Sequence, residues 1–455
     1  MRSEISVFKL SGTLALVALS TAGFSGRARA ANDDDKADTA VDRELATEAR
    51  LSTILRVIGE RSPDLREAFE RMHAAEARTG AASRLPDPEL KGELWGVPLA
   101  HPVSFDQANT IMIGLRQSFP AWGSLDARQR AAREDAAAAG DTAEARRQEV
   151  AAQARRAFAA YARADREYRI HLEHVGLTSR IVEIARSLYQ VGHGSQQDLL
   201  HAQAELSRLH VDVAAIEQQK RSAQALLNAL MDRDPDAALG PAPELSSSGA
   251  LASPPDDTAD ADRRLDQRRP ELRAAARAVK RSEATLDVAK REGDLPSFMV
   301  GADYWYMPTQ QTRNAYGAMV SMSLPWLNPG HRDEVKAAER TSAAERSALR
   351  AQQAAARFQL RDADAKLHAA RETLALIRER VLADALRSFE SAQALFQSGH
   401  GDVTPVLDGA RNYLQVRIEE VRAAADLESS RADYARAAGL PVVGMTDGAG
   451  AEDRR

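Results

Sequence analysis

The chain has 455 residues, with Lys+Arg 61 against Asp+Glu 66 and a formal net charge of −5. Its charges are interspersed rather than blocked, which excludes the one-sided basic face of a nucleic-acid binder. Aromatic residues make up 5 % and Cys 0, which excludes a thick aromatic core, disulfides, thiolate metal sites, a Cys nucleophile and a lipid-modified Cys.

In chain order, Arg2 and Lys9 precede an apolar run over Leu10–Phe24, followed by Ala28-Arg29-Ala30. That order predicts a secretory signal peptide over residues 1–30, cut after Ala30, and an exported product. A retained anchor is the alternative, but Ser11, Gly12, Ser20 and Gly23 interrupt the run. The mature start, to Asp38, is expected to lack order. No other segment reaches the roughly 18–20 apolar residues of a spanning helix. Entry into a membrane would therefore use strands of a closed barrel.

Residues 31–231 form a first structural repeat. A helix over Ser62–Ala82 has Pro63 just inside its start, where a missing N–H costs nothing. Two strands are expected at about 88–97 and 110–118. Ile111, Ile113 and Leu115 alternate with Met112, Gly114 and Arg116, and Leu90 and Leu94 face away from Glu89, Lys91 and Glu93. A proline-free stretch then runs from Ala121 to Asp234, broken by a tip turn at 192–195 in Tyr189-Gln190-Val191-Gly192-His193-Gly194-Ser195. The helix before this turn would hold about 65–70 residues and extend on the order of 100 Å. Gly140 weakens it by about 1 kcal/mol without stopping it.

Residues 232–261, rich in Pro, Ser and Asp, predict a linker or equatorial belt. Residues 262–441 then repeat the plan. Arg269-Pro270-Glu271-Leu272-Arg273 answers Ser62-Pro63-Asp64-Leu65-Arg66, and Leu324-Pro325-Trp326 answers Phe119-Pro120-Ala121-Trp122. Strands are expected at about 296–307 and 316–324. Phe298, Val300, Ala302, Tyr304 and Tyr306 share one face; Ser297, Met299, Gly301, Asp303 and Trp305 share the other. A second tip turn, 399–402, places His400 207 positions after His193. Residues 442–455 are expected to be a disordered tail.

Each strand has the length of a tilted membrane crossing, with one apolar and one polar face. The lipid side would carry Phe298, Val300, Tyr304, Ile111, Ile113 and Leu115. Soluble hairpins are the bland alternative, opposed by export, duplication and helix length. Four strands cannot close a barrel whose smallest form uses about eight. Several copies must therefore share one wall. The fold class is mainly α with a small β part: duplicated helix–strand–strand–long helix halves, with coiled-coil packing between the long helices.

These features together resemble the TolC-like outer-membrane efflux proteins over about residues 45–440. The specific strings are Tyr189 to Ser195, Asp198-Leu199-Leu200, Ala202-Gln203, Leu226-Leu227-Asn228-Ala229-Leu230 and Val406-Leu407-Asp408. The resemblance implies a homotrimer with a trimeric α-helical barrel and a twelve-stranded transmembrane β-barrel, four strands per protomer. It implies residence in outer-membrane lipid with a tunnel reaching into the periplasm. The implied partners are a periplasmic adaptor (membrane fusion protein) and an inner-membrane efflux pump of the RND type. No cofactor, resident metal or chemistry is implied.

Carried over residue by residue, adaptor docking falls on Gly192, Gly194, Ser195, Gly399, Gly401 and Asp402. An aspartate constriction near the second tip matches Asp408, with Asp402 and Asp198 as further candidates; three carboxylates near an axis attract cations. The position three before Asp408, often Asp in the family, is Pro405. Plain turns, helix caps and solvated carboxylates are the alternatives.

Pro86-Asp87-Pro88-Glu89-Leu90, Phe119-Pro120 and Trp305-Tyr306-Met307-Pro308 look most like the branch that exports heavy metals, such as copper/silver or cobalt–zinc–cadmium systems. Met112, Met299, Met307, Met319 and Met322 supply thioethers suited to Cu(I), but on both strand faces and in no single site. His171 and His174 share a helix face and are expected to be solvated; His193 and His400 sit in the tips. Drug or organic-solute efflux and type I protein secretion stay open as substrate readings. A periplasmic coiled-coil adaptor is the non-channel reading. No Gly-x-Ser-x-Gly, His-Glu-x-x-His or phosphate loop supports an enzyme.

Overall fold

The computed structural model describes residues 41–96, 108–245, 264–307, 314–398, 402–442 and 444–445. The expected signal peptide, Gly399, Gly401 and most of the expected tail lie outside the described residues.

The first half runs from α1 (Leu51–Arg61) through α2 (Pro63–Ala82), β1 (Glu89–Trp95), β2 (Thr110–Phe119) and α3 (Ser124–Gln190) to α4 (Gln196–Leu230). The second runs through α5 (Pro270–Asp294), β3 (Phe298–Tyr306), β4 (Asn314–Met322), α6 (Gly330–Leu376) and α7 (Leu382–Gln397) to α8 (Val403–Ala437). Both α2 and α5 begin on a proline, with Asp64 and Glu271 in their first turns, where carboxylates face the positive end of the helix dipole.

α3 is one unbroken helix of 67 residues, roughly 100 Å at 1.5 Å per residue. Its counterpart is α6 and α7 joined by a π-helical turn over Ile377–Val381. The return helices α4 and α8 have 35 residues each. The duplication is therefore present in element order and in length.

The long helices pack by seams. Ala356, Leu360, Ala363 and Leu367 of α6 are buried at steps of four, three and four, the spacing that keeps one side facing a partner along a coiled coil. α8 buries Val403, Leu407, Ala410 and Leu414 in the same rhythm. Alanine predominates on the buried side of α3, from Ala151 to Ala164, and small side chains let helix axes approach closely.

Three clusters follow one another along the helices. The largest joins α1, the middle of α3, the end of α4, α6 and the end of α8. A smaller one surrounds Ile170, Leu209, Leu414 and Ile418. The third, near the tips, contains Ile181, Ala202, Phe389, Phe396, Val403 and Val406, with Phe389 and Tyr413 stacked at 6.0 Å.

The first part of the expected linker is bound to the largest cluster. Tyr161, fully buried, donates its hydroxyl to the carbonyls of Leu239 and Gly240 at 3.1 and 2.8 Å. Asn228 donates to the carbonyls of Pro235 and Ala237, and Ala242 and Leu245 are buried. The tail expectation is corrected at its start. Val442 packs on the same cluster and Met445 is buried, because the chain turns back at Gly439 (φ 63°) and lies over the α1 region.

The strands form one antiparallel sheet in the order β1-β2-β3-β4, leaving β1 and β4 as open edges among the described residues. β4 both begins and ends two residues before the expected span; past its end Pro325, which has no N–H to give a strand ladder, opens a short 3₁₀ turn over Pro325–Leu327.

Candidate channel wall and tip

The sheet is inverted relative to a soluble protein. Ile113 lies beside Tyr304, Leu115 beside Ala302 and Phe119 beside Phe298; Tyr304 continues to Tyr316 and Val300 to Val320; Leu90 flanks Leu115. These residues share one face, and that face is open. Leu90 is 78 % exposed, Tyr316 92 % and Val320 71 %. The six residues expected to face lipid fall here together: Phe298, Val300, Tyr304, Ile113 and Leu115 are exposed and Ile111 is half-buried.

The opposite face carries Lys91, Glu93, Met112, Gly114, Arg116, Met299, Asp303, Trp305, Gly317 and Met319, and it is the covered one. Met112 is 4 % exposed and Asp303 8 %. Arg116 Nη2 stands 3.9 Å from Asp303 Oδ1, and Lys91 pairs with Glu93. An exposed apolar face and a covered charged face suit hydrocarbon outside and water inside.

The first tip is built by its glycines. Gly192 has φ 78°, a conformation that costs a residue with a Cβ. The backbone N–H groups of His193 and Gly194 both donate to the Leu188 carbonyl, at 2.9 and 3.0 Å. A Cβ on Gly194 would lie 3.1 Å from Leu188 Cβ and Tyr189 N. Ser195 then caps α4: its Oγ accepts from the Asp198 N–H at 3.0 Å, and the Asp198 carboxylate accepts from the Ser195 N–H at 3.3 Å. This is a capping box. Around it Tyr189, Val191 and Leu200 are exposed, an apolar collar that the polar turn motif did not announce.

The three candidate aspartates have different surroundings. Asp198 is engaged in the cap. Asp402 occupies the N-cap position of α8, but its side chain makes no capping hydrogen bond. Asp408, on the first turns of α8, accepts from Arg411 at 3.2 Å. Arg411 also grips Glu205 of α4 through two bonds of 3.2 and 2.8 Å, which holds the Glu205 carboxyl below its usual range and raises the Arg411 guanidinium. No hydrogen bond or ion pair joins the three aspartates to one another among the described residues. The Arg411–Glu205 clamp was missed from sequence because its partners lie 206 positions apart.

His171 and His174 correct another expectation. They are 5 % and 6 % exposed, because α4 and α8 both cover their face of α3. His171 Nδ1 lies 2.8 Å from the Glu167 carbonyl. Burial, followed by the neighbouring His171, pushes His174 down to about 4.

No group of three or more His, Cys, Asp or Glu side chains could hold a metal among the described residues. No helix among them is long and apolar enough to cross a membrane.

The outer membrane efflux protein family model matches residues 54–232 and 263–440, one match for each half. The chain belongs to that family. Its fold is that of solved outer-membrane channels. OprN is 19 % identical with a TM-score of 0.73, covering 86 % of this chain and 90 % of its own. CusC is 17 % identical with a TM-score of 0.75, covering 87 % and 93 %. CmeC of Campylobacter jejuni is 16 % identical with a TM-score of 0.71, covering 89 % and 88 %. No curated relative matches the chain in sequence. The family match coincides with the duplication read from the landmarks.

Proposed function

We propose that this efflux-family chain is one third of an outer-membrane conduit in a tripartite export system. Three copies would join their four-stranded sheets edge to edge into a twelve-stranded barrel, and their helices into a periplasmic tunnel. The observation that carries this reading is the inverted sheet with two open edges. In hydrocarbon each unpaired backbone group costs several kcal/mol, so β1 and β4 require neighbours, and neighbouring copies of the same chain supply both.

The first tip, 192–195, follows the far end of α3 from the sheet; there, together with the second tip expected at 399–402, it would meet the hairpins of a periplasmic adaptor bound to an inner-membrane pump of the RND type. Gly192, Gly194, Ser195, Gly399, Gly401 and Asp402 are the docking residues we carry forward. Exposed Tyr189 and Val191 add apolar area beside the first tip. Asp408 and Asp402 remain the constriction residues. Asp198 and Asp408 both have engaged carboxylates, Asp198 in the cap and Asp408 with Arg411, so a cation at the constriction would have to share them.

Heavy-metal cations are the substrate class we favour, moved passively, with selectivity residing in the pump and adaptor. The test has two arms. Gently solubilised protein should have the mass of three signal-processed chains, each below the 49.4 kDa of the full sequence, and conduct ions in planar lipid bilayers; a non-conducting monomer removes the channel. Deletion in the native host should sensitise growth to copper or zinc. Sensitivity to detergents alone would reassign the cargo to organic solutes.

A further inference from the structure

The polar face of the sheet has glycines where its neighbours' largest side chains lie down. A Cβ on Gly317 would lie 2.6 Å from both Cζ3 and Cη2 of Trp305, so the indole crosses from β3 onto β4 and rests on bare backbone. A Cβ on Gly301 would lie 3.1 Å from Cγ of Arg116, whose stem crosses from β2. On Gly114 it would collide with Asp303 Oδ1, which reaches the other way, from β3 to β2. The register makes this possible: Gly114 and Gly317 flank Asp303, and Gly301 separates Arg116 from Met319. Each arm is held flat, and Asp303 is 8 % exposed although no second sheet among the described residues covers it.

Resting on the channel reading, we propose that Gly114, Gly301 and Gly317 set the calibre of the lumen by giving Asp303, Arg116 and Trp305 a place to lie against the wall. A side chain has two choices on the inside of a barrel: along the wall or into the passage. Neighbouring Cβ atoms close the first choice. These glycines open it on three adjacent strands and in neighbouring rows, so the widest residues of the wall leave the passage clear. The consequence is specificity by size: the barrel admits bulkier solutes than its Trp and Arg content suggests.

The absence of Cys makes a direct test available. Ser118 lies on the polar face opposite Met299, at the helical end of the sheet. A reagent added outside intact cells must pass the Trp305 row to reach Ser118→Cys, so labelling is independent of the periplasmic tip. The parent Ser118→Cys protein should react with both a small maleimide and a long polyethylene-glycol maleimide. Adding Gly317→Val should lift the indole into the lumen and slow the long reagent at least about three-fold, with the small reagent unchanged. Adding Trp305→Ala to that variant should restore the rate. Trp305→Ala in the parent should change it little, because the ring already lies flat.

An unchanged long-reagent rate in Gly317→Val overturns the proposal. So does a several-fold faster rate in Trp305→Ala alone, which also decides the matter should Gly317→Val fail to assemble. If even the small maleimide fails to reach Ser118→Cys in correctly localised parent protein, the channel reading itself falls, and the calibre proposal with it.

Discussion

His174 shows how a single side chain can record the packing of three helices. It lies on α3 beside His171, faces Glu205 of α4 and Arg417 of α8, and is held near 4 mainly by burial. The unfolded chain would bind this proton near 6.5, so the unfolded state holds more protons between the two values. The contribution is therefore complete above 6.5 and lost as pH falls toward about 4. The gap corresponds to about 3 kcal/mol per chain at most. Thermal unfolding of the solubilised protein should show a melting temperature that drops across this window, and His174→Gln should flatten the drop. Equal pH dependence in both proteins would contradict the assignment. Burial of these histidines was not legible in the sequence, because α3 is so rich in Ala and Arg that no single stripe marks the side α4 and α8 cover.

At the scale of elements, the sheet and the tips make separate demands. Val300 is exposed in the middle of the apolar face. Val300→Arg should impair barrel assembly by about 2–4 kcal/mol at mid-membrane, measured as loss of heat-resistant oligomer on gels. Normal assembly of this variant would place Val300 away from lipid. The tips predict the opposite pattern. Replacing Gly192 and Gly399 with Leu should leave oligomer and membrane insertion intact while abolishing export in a resistance assay, since the Gly192 turn (φ 78°) would lose its shape far from the sheet. Retained resistance would remove docking from these turns. The strand faces were legible because a period of two survives in any environment; only its meaning is reversed here, with Leu90 and Val320 outward and Asp303 inward. The Gly192 turn was legible from its repetition. The π-turn at Ile377–Val381 was not, since nothing in the string Ile-Arg-Glu-Arg-Val sets it apart from the α-helix on either side, and none of the five residues is buried.

The whole molecule is tied together at its waist. α1, the segment over 239–245 and Ala438, Leu440, Val442 and Met445 meet on the middle of α3, on α6 and on the end of α8. Met445 closes that cluster at 7 % exposure. Truncation after Leu440 should therefore lower the melting temperature, by an amount matching about 2–5 kcal/mol for the loss of a buried Met. An unchanged melting temperature would return these residues to a dispensable tail. The sequence pointed to a belt here but not to its grip, because Tyr161 and the carbonyls it bonds are 78 and 79 positions apart. The duplicated halves, by contrast, were readable from end to end, since Pro63 and Pro270, Pro120 and Pro325, and the two Gly-His-Gly turns mark them in the same order.

The outward-facing apolar panel also constrains the life of the newly made chain. On the proposed route to the outer membrane, a protomer that folded before assembly would meet water with Leu90, Tyr316 and Val320 uncovered and two strand edges unpaired, a surface that invites sticking to any similar chain. A solitary protomer is thus hazardous cargo. In the proposed trimeric conduit it would need an escort in transit, released only where two further copies wait at the bilayer.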